Sequence, residues 1–100
     1  MKNDSDHIYY VIILQPIESR ELTSEVIAKH AQHLRALDVD RKLVLAGPFT
    51  DHPTGMLVLR GKNKDEIKSI MEQDALIQEG FRSYEVRTWL MANDTNNYLP

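Results

Sequence analysis

Between Lys42 and Gly61 the chain reads KLVLAGPFTDHPTGMLVLRG, and two apolar runs in this stretch constrain the fold more than any other feature. Leu43 to Leu45 and Met56 to Leu59 carry no polar break. A strand with one wet face alternates, so unbroken runs this short predict strands at Lys42–Ala46 and Met56–Arg60, each covered on both sides. Gly47 permits close approach to the backbone. Pro48 lacks the N–H that a ladder needs, so regular pairing is expected to stop there. Asp51, Pro53 and Gly55 are turn formers, which makes the stretch a hairpin.

At 100 residues the chain is one compact domain with a real core, still small enough to gain from a partner. A net charge of −3, with no cluster of Lys and Arg, argues against a nucleic-acid or anionic-membrane surface. There is no cysteine, hence neither a disulfide frame nor a thiolate metal site. The opening MKNDSDH is polar and acidic, unlike a signal peptide, and no apolar run approaches the roughly 20 residues of a membrane span. A cytoplasmic domain is expected, with neither nucleic acid nor membrane as a partner.

Taken in order, residues 1–7 read as a disordered leader ending in a solvated His7. Ile8 to Leu14, IYYVIIL, is β-branched and aromatic and predicts a first strand buried on both faces. Ser19 and Thr23 compete to cap a helix from Glu21 to about Asp38. On it Leu22, Val26, Ile27, Leu34 and Leu37 share a face opposite Ser24, Glu25, Ala28, Gln32, Arg35 and Ala36. After the hairpin, Asn63 with Glu66 three residues on predicts a capped second helix, striped by Ile67, Ile70 and Met71. A short turn, Ala75–Gly80, closes on glycine. The last strand is Tyr84–Ala92, with Tyr84, Val86, Thr88 and Leu90 facing one way and Glu85, Arg87, Trp89 and Met91 the other. Residues 93–100 read as a C-terminal tail or dimer arm. The order β-α-β-β-α-β is the ferredoxin-like arrangement, an antiparallel sheet with both helices on one face. The other face is bare and the strands read as two-sided, so a second copy is expected to cover it, giving a homodimer through sheet faces.

The same periodicity supplies the chemistry. His30 and His33 fall inside the apolar stripe of the first helix, and Asp74 falls in the stripe of the second. Both stripes face the same side of the sheet. A buried carboxylate needs a partner and an imidazole is the natural one. Asp74 would accept from one ring nitrogen, fix the tautomer and leave the other nitrogen free as a base. Two alternatives stand beside this reading. Asp74 could simply cap the Ala75–Gly80 turn, and His30-x-x-His33 with Asp74 could form a metal set. His52 is either solvated or at a pocket rim. Trp89 suits packing better than a substrate platform, and Arg87 suits a strand-edge ion pair better than an anionic ligand.

With these segments assembled, the chain resembles the YciI-like (YCII-related domain) family of small dimeric α+β-barrel proteins over residues 8 to 92. His33-Leu34-Arg35-Ala36-Leu37 matches the family's His-Leu-x-x-Leu, Ala46-Gly47-Pro48 its Ala-Gly-Pro, and Tyr84-Glu85-Val86-Arg87-Thr88-Trp89 its closing Tyr-Glu-Val-x-x-Trp. Asp74 matches its acidic residue, although Ala75 stands where a proline usually follows. Arg41 stands where a glycine usually precedes the Lys-Leu-Val strand, so the turn leaving the first helix is expected to differ. The resemblance implies a ferredoxin-like protomer, a homodimer, and a pocket holding a His–Asp dyad; related barrels include lyases and isomerases, and a dehydrochlorinase of a chlorinated hydroxyquinol belongs to the YciI-like group.

The expected function is a cofactor-free lyase or isomerase on a small organic acid or phenolic compound. His33 would abstract or relay the proton and Asp74 would orient it. Gly47, Pro48 and Trp89 would line the pocket, with His30 behind. The rival is a non-catalytic small-molecule-binding or interaction domain.

Overall fold

The structure is a computed structural model describing residues 4–18 and 20–99. Its elements are β1 (Ile8–Pro16), α1 (Ser24–Val39), β2 (Leu43–Pro48), β3 (Gly55–Leu59), α2 (Lys64–Met71), α3 (Ala75–Gln78) and β4 (Arg82–Leu90), with single 3-10 turns at Asp4–His7 and Asp94–Asn96. The strands form one antiparallel sheet in the order β2-β3-β1-β4. This is the ferredoxin-like α+β fold.

Alternation along the two central strands divides the faces. Tyr10, Ile12 and Leu14 of β1 are buried, as are their register partners Leu59 and Leu57 on β3 and Val86 on β4. Val26 and Leu37 of α1 and Ile67, Ile70 and Met71 of α2 close over this face, with Leu76 and Phe81 completing the core. The opposite face carries Tyr9, Val11, Ile13, Met56 and Val58, flanked by half-exposed Trp89 and by Leu45 at 65% exposure. No helix among the described residues is long and apolar enough to cross a membrane.

Two-sided cover of β2 does not hold within the protomer. That strand is the sheet edge, and its residues from Leu45 to Pro48 are exposed, whereas β3, flanked by β1 and β2, is buried along almost its whole length. Nor does pairing stop at Pro48. It lies opposite Gly55, and the Phe49 N–H donates to the Thr54 carbonyl at 2.9 Å beyond it. An edge strand tolerates a proline whose missing N–H would have faced outward. Gly55 is required at that crossing, because a Cβ there would sit 2.8 Å from Pro48 Cα.

The helix ends follow their caps. Thr23 caps α1, accepting from Val26 N–H at 3.1 Å, while its sequence rival Ser19 lies outside the described residues. Ile27, expected in the buried stripe, is 48% exposed because it sits where α1 borders a cavity rather than the sheet. Arg41 follows the C-terminal end of α1. It takes φ +60°, the left-handed conformation a glycine would supply, and donates to Asp38 O while Lys42 N–H reaches Leu37 O at 2.9 Å. These two bonds form the Schellman closure, with an arginine carrying the strain of a left-handed residue. Asn63 caps α2 through Glu66 N–H at 2.9 Å, and Glu66 returns to Lys62 N–H.

His7 is not solvated. It is 4% exposed, its Nε2 lies 2.6 Å from Thr95 Oγ1, and Met91 N–H donates to its carbonyl. The chain leaving β4 turns back at Asn93, whose capping box holds the Asp94–Asn96 turn over the start of β1. Buried backbone and imidazole groups need partners, and each end of the chain supplies them to the other.

Candidate active site

Asp74 stands at the junction of α2 and α3, fully buried, and its two oxygens do different work. Oδ1 caps α3 by accepting from Leu76 N–H at 2.9 Å. Oδ2 lies 2.7 Å from His30 Nδ1 and 3.1 Å from His33 Nδ1. Capping and histidine pairing, which the sequence presents as alternatives, are therefore simultaneous. The cap also orients the carboxylate although Ala75 replaces the expected proline.

The spacing that brings both rings to one oxygen is helical. Residues three apart on α1 share a face, and the α1 face that meets α3 carries both histidines, with side chains 20% and 14% exposed. Burial by itself would raise the Asp74 carboxyl, but the hydrogen bonds from His30 and His33, then the charge interaction with His30 and the Leu76 N–H, outweigh it and hold the group well below the ordinary carboxylate range. An ionised carboxylate only accepts, so each Nδ1 carries its proton toward Oδ2. In the neutral ring Nε2 is then the free lone pair, a base in the correct tautomer. Among the described residues no group of three or more acidic, His or Cys side chains is arranged to hold a metal ion.

Beside this cluster lies a cavity of about 420 Å³ between α1, the Leu14 end of β1, the end of β2 and the start of β3. That is roomier than the roughly 150 Å³ that holds a benzene ring. Leu14, Leu22, Leu34, Leu57 and Leu76 form its apolar wall, Ala46, Gly47 and Pro48 one side, and His30, Thr54 and Arg82 its polar contacts. Of the expected site residues, His30, Gly47 and Pro48 line it, and Asp74 and His33 join it through the hydrogen-bonded cluster. Trp89 does not. It pairs with Tyr9 on the opposite sheet face, because its strand position is odd relative to buried Val86. Arg87 shares that face and forms an ion pair with Glu85. His52 is exposed, its Nδ1 3.0 Å from Thr54 Oγ1, and reaches the rim only through Thr54.

Arg82 is the functional candidate that sequence reasoning missed. The last strand was expected to begin at Tyr84, but it begins two residues earlier. Extending the alternation of Tyr84 and Val86 backward places Arg82 on the helix-covered face.

A family model described as YCII-related domain matches residues 8–90. Over 80 residues the chain is 24% identical to an uncharacterised protein, YjpA, of Bacillus subtilis, the match spanning 80% of this chain and 94% of that one. Among solved structures, it is similar in fold to a 5-chloro-2-hydroxyhydroquinone dehydrochlorinase from Burkholderia phenoliruptrix, solved in complex with 2,5-dihydroxybenzoquinone. The TM-score is 0.72 at 19% identity, covering 89% of this chain and 99% of that one.

Proposed function

The chain belongs to the YCII-related domain family, and on that premise we propose that it is a cytoplasmic, cofactor-free lyase or isomerase that moves a proton on a compact organic acid or phenolic compound. The observation that carries this reading is the buried Asp74 with Nδ1 of two imidazoles on one carboxylate oxygen, one of the rings lining the cavity. His30 takes the cavity-facing role that the sequence pattern favours for His33. Its Nε2 accepts a proton from the substrate, and the electron pair left behind either expels a leaving group on the adjacent atom or is reprotonated elsewhere. The imidazolium so formed is held by the carboxylate 2.7 Å away. His33, donating to the same oxygen at 3.1 Å, limits the positions Asp74 can take. A dehydrochlorinase of similar fold, with a small oxygenated ring bound, supports elimination on a compact ring as one form of this chemistry.

The protomer is further proposed to pair with a second copy through the face bearing Val11, Ile13, Met56 and Trp89, which its own helices leave uncovered. A non-catalytic binding domain is the rival, favoured by one observation: Asp74 also caps α3 and so has a structural use. An activity screen over small carboxylic and phenolic acids near neutral pH separates the two. His30→Ala and His33→Ala are expected to abolish turnover while the circular dichroism spectrum is kept. Wild-type turnover unchanged in both variants would remove the proton-transfer reading, and a lowered melting temperature with no substrate found would favour the rival.

A further inference from the structure

Arg82 is 8% exposed and lines the cavity, yet no carboxylate among the described residues lies within salt-bridge distance of it. Its Nη1 donates to the carbonyls of Arg20 at 3.0 Å and Phe81 at 2.7 Å, and its Nη2 reaches the Pro53 carbonyl at 3.4 Å. These are neutral dipoles. They satisfy part of the guanidinium's hydrogen-bonding capacity and leave its charge without a counter-ion. A guanidinium has five N–H donors, so Nε and one hydrogen of Nη2 remain for another acceptor. The placement is costly on its own, because a buried charge is tolerated when it is paired.

We infer that Arg82 is the anion anchor of the cavity, and that the ligand is a compact organic carboxylate whose apolar body lies against Leu14, Leu57 and Leu76. The planar fork of an arginine matches a carboxylate better than a point cation does. The apolar wall selects a hydrocarbon or aromatic body over a sugar or phosphate ester, whose hydroxyls would find few partners there. Arg82 and His30 are contributed by β4 and α1, so the anion is held by one element and the transferable proton is presented to another. This names the substrate class for the proton-transfer reading and rests on that reading's cavity, although not on its chemistry.

The test is therefore binding without turnover. Benzoate and its neutral analogue benzamide are titrated into the wild-type protein by calorimetry at fixed ionic strength. Benzoate is expected to bind at least about tenfold tighter, the range of a charge-assisted hydrogen bond. Arg82→Gln should erase that preference, and Arg82→Lys, which keeps the charge and loses the fork, should keep part of it. Arg87→Gln, which removes a cation from the opposite sheet face, should leave it in place. Should Arg82→Gln fail to fold, the wild-type comparison and the lysine variant still decide. Equal binding of the two probes, no benzoate binding at millimolar concentration, an undiminished preference in a folded Arg82→Gln protein, or loss of the preference in Arg87→Gln would each overturn the assignment. None of these readouts depends on catalysis, so failure here leaves the proton-transfer reading standing, and the converse also holds.

Discussion

Replacing Asp74 by asparagine separates the two uses of that carboxylate. The amide oxygen can still accept from Leu76 N–H, so the α3 cap, now at 2.9 Å, is retained. The amide nitrogen takes the place of Oδ2 and faces two N–H donors, from His30 and His33. Each ring can change tautomer and accept one of the amide's two N–H bonds, so both charge-assisted bonds become neutral ones. Hydrogen bonds to a charged group contribute about 1.5–3 kcal/mol each and a neutral one about 1 kcal/mol. Exchanging two of the former for two of the latter costs on the order of 1–4 kcal/mol, and relief of the carboxylate's desolvation offsets the upper part of that range, leaving a net of about 2 kcal/mol. For a domain of this size that is a fall in Tm of about 8–16 °C near neutral pH.

The sign of its pH dependence follows from the depressed Asp74 carboxyl. A folded-state pKa below the ordinary 3.8 means stability that is fully present above that value and lost as pH falls through the folded one. The gap between wild type and Asp74→Asn should therefore be full at about pH 5 and shrink steadily below about pH 4. Urea unfolding followed by circular dichroism along an acid series reads it directly. Equal stability at pH 5, or a gap that stays constant into the acid range, would mean that the carboxylate is not an ionised partner of the two imidazoles.

Arg41→Gly should raise stability by up to about 1 kcal/mol, since glycine takes the left-handed conformation at φ +60° without a Cβ clash; a loss in the chemical denaturation midpoint would contradict the Schellman closure. Gly55→Ala should destabilise by roughly 1–3 kcal/mol because its Cβ meets the Gly47–Pro48 backbone, whereas Gly47→Ala, with open space around its Cβ, should stay within about 0.5 kcal/mol; similar thermal shifts for the two would refute the crossing geometry. Val11→Lys, in the middle of the uncovered sheet face, should convert a dimer to a monomer in sedimentation velocity. A wild-type protein that already sediments as a monomer would remove the proposed pairing.

The elements were legible because their causes are local. Apolar period, the caps at Thr23 and Asn63, and the glycine at Gly80 act within a few residues of the structure they shape, and they place β1, α1, β3 and α2 close to where they stand. His30, His33 and Asp74 were visible as polar intrusions in apolar stripes for the same reason. What the amino-acid order could not decide depends on neighbours distant in the chain. Leu43 to Leu45 reads as doubly covered, and only the strand order shows that it lies on an edge. Trp89 matches a family motif near the site, yet its register opposite Tyr9 sends it through the sheet to the other face. Which histidine meets the cavity, and that both share one oxygen, is settled by how α1 crosses α3, a contact between residues more than 40 positions apart. Periodicity ranks the faces of a single element; the partner each face meets is a property of packing, in which every element's position is set by all the others.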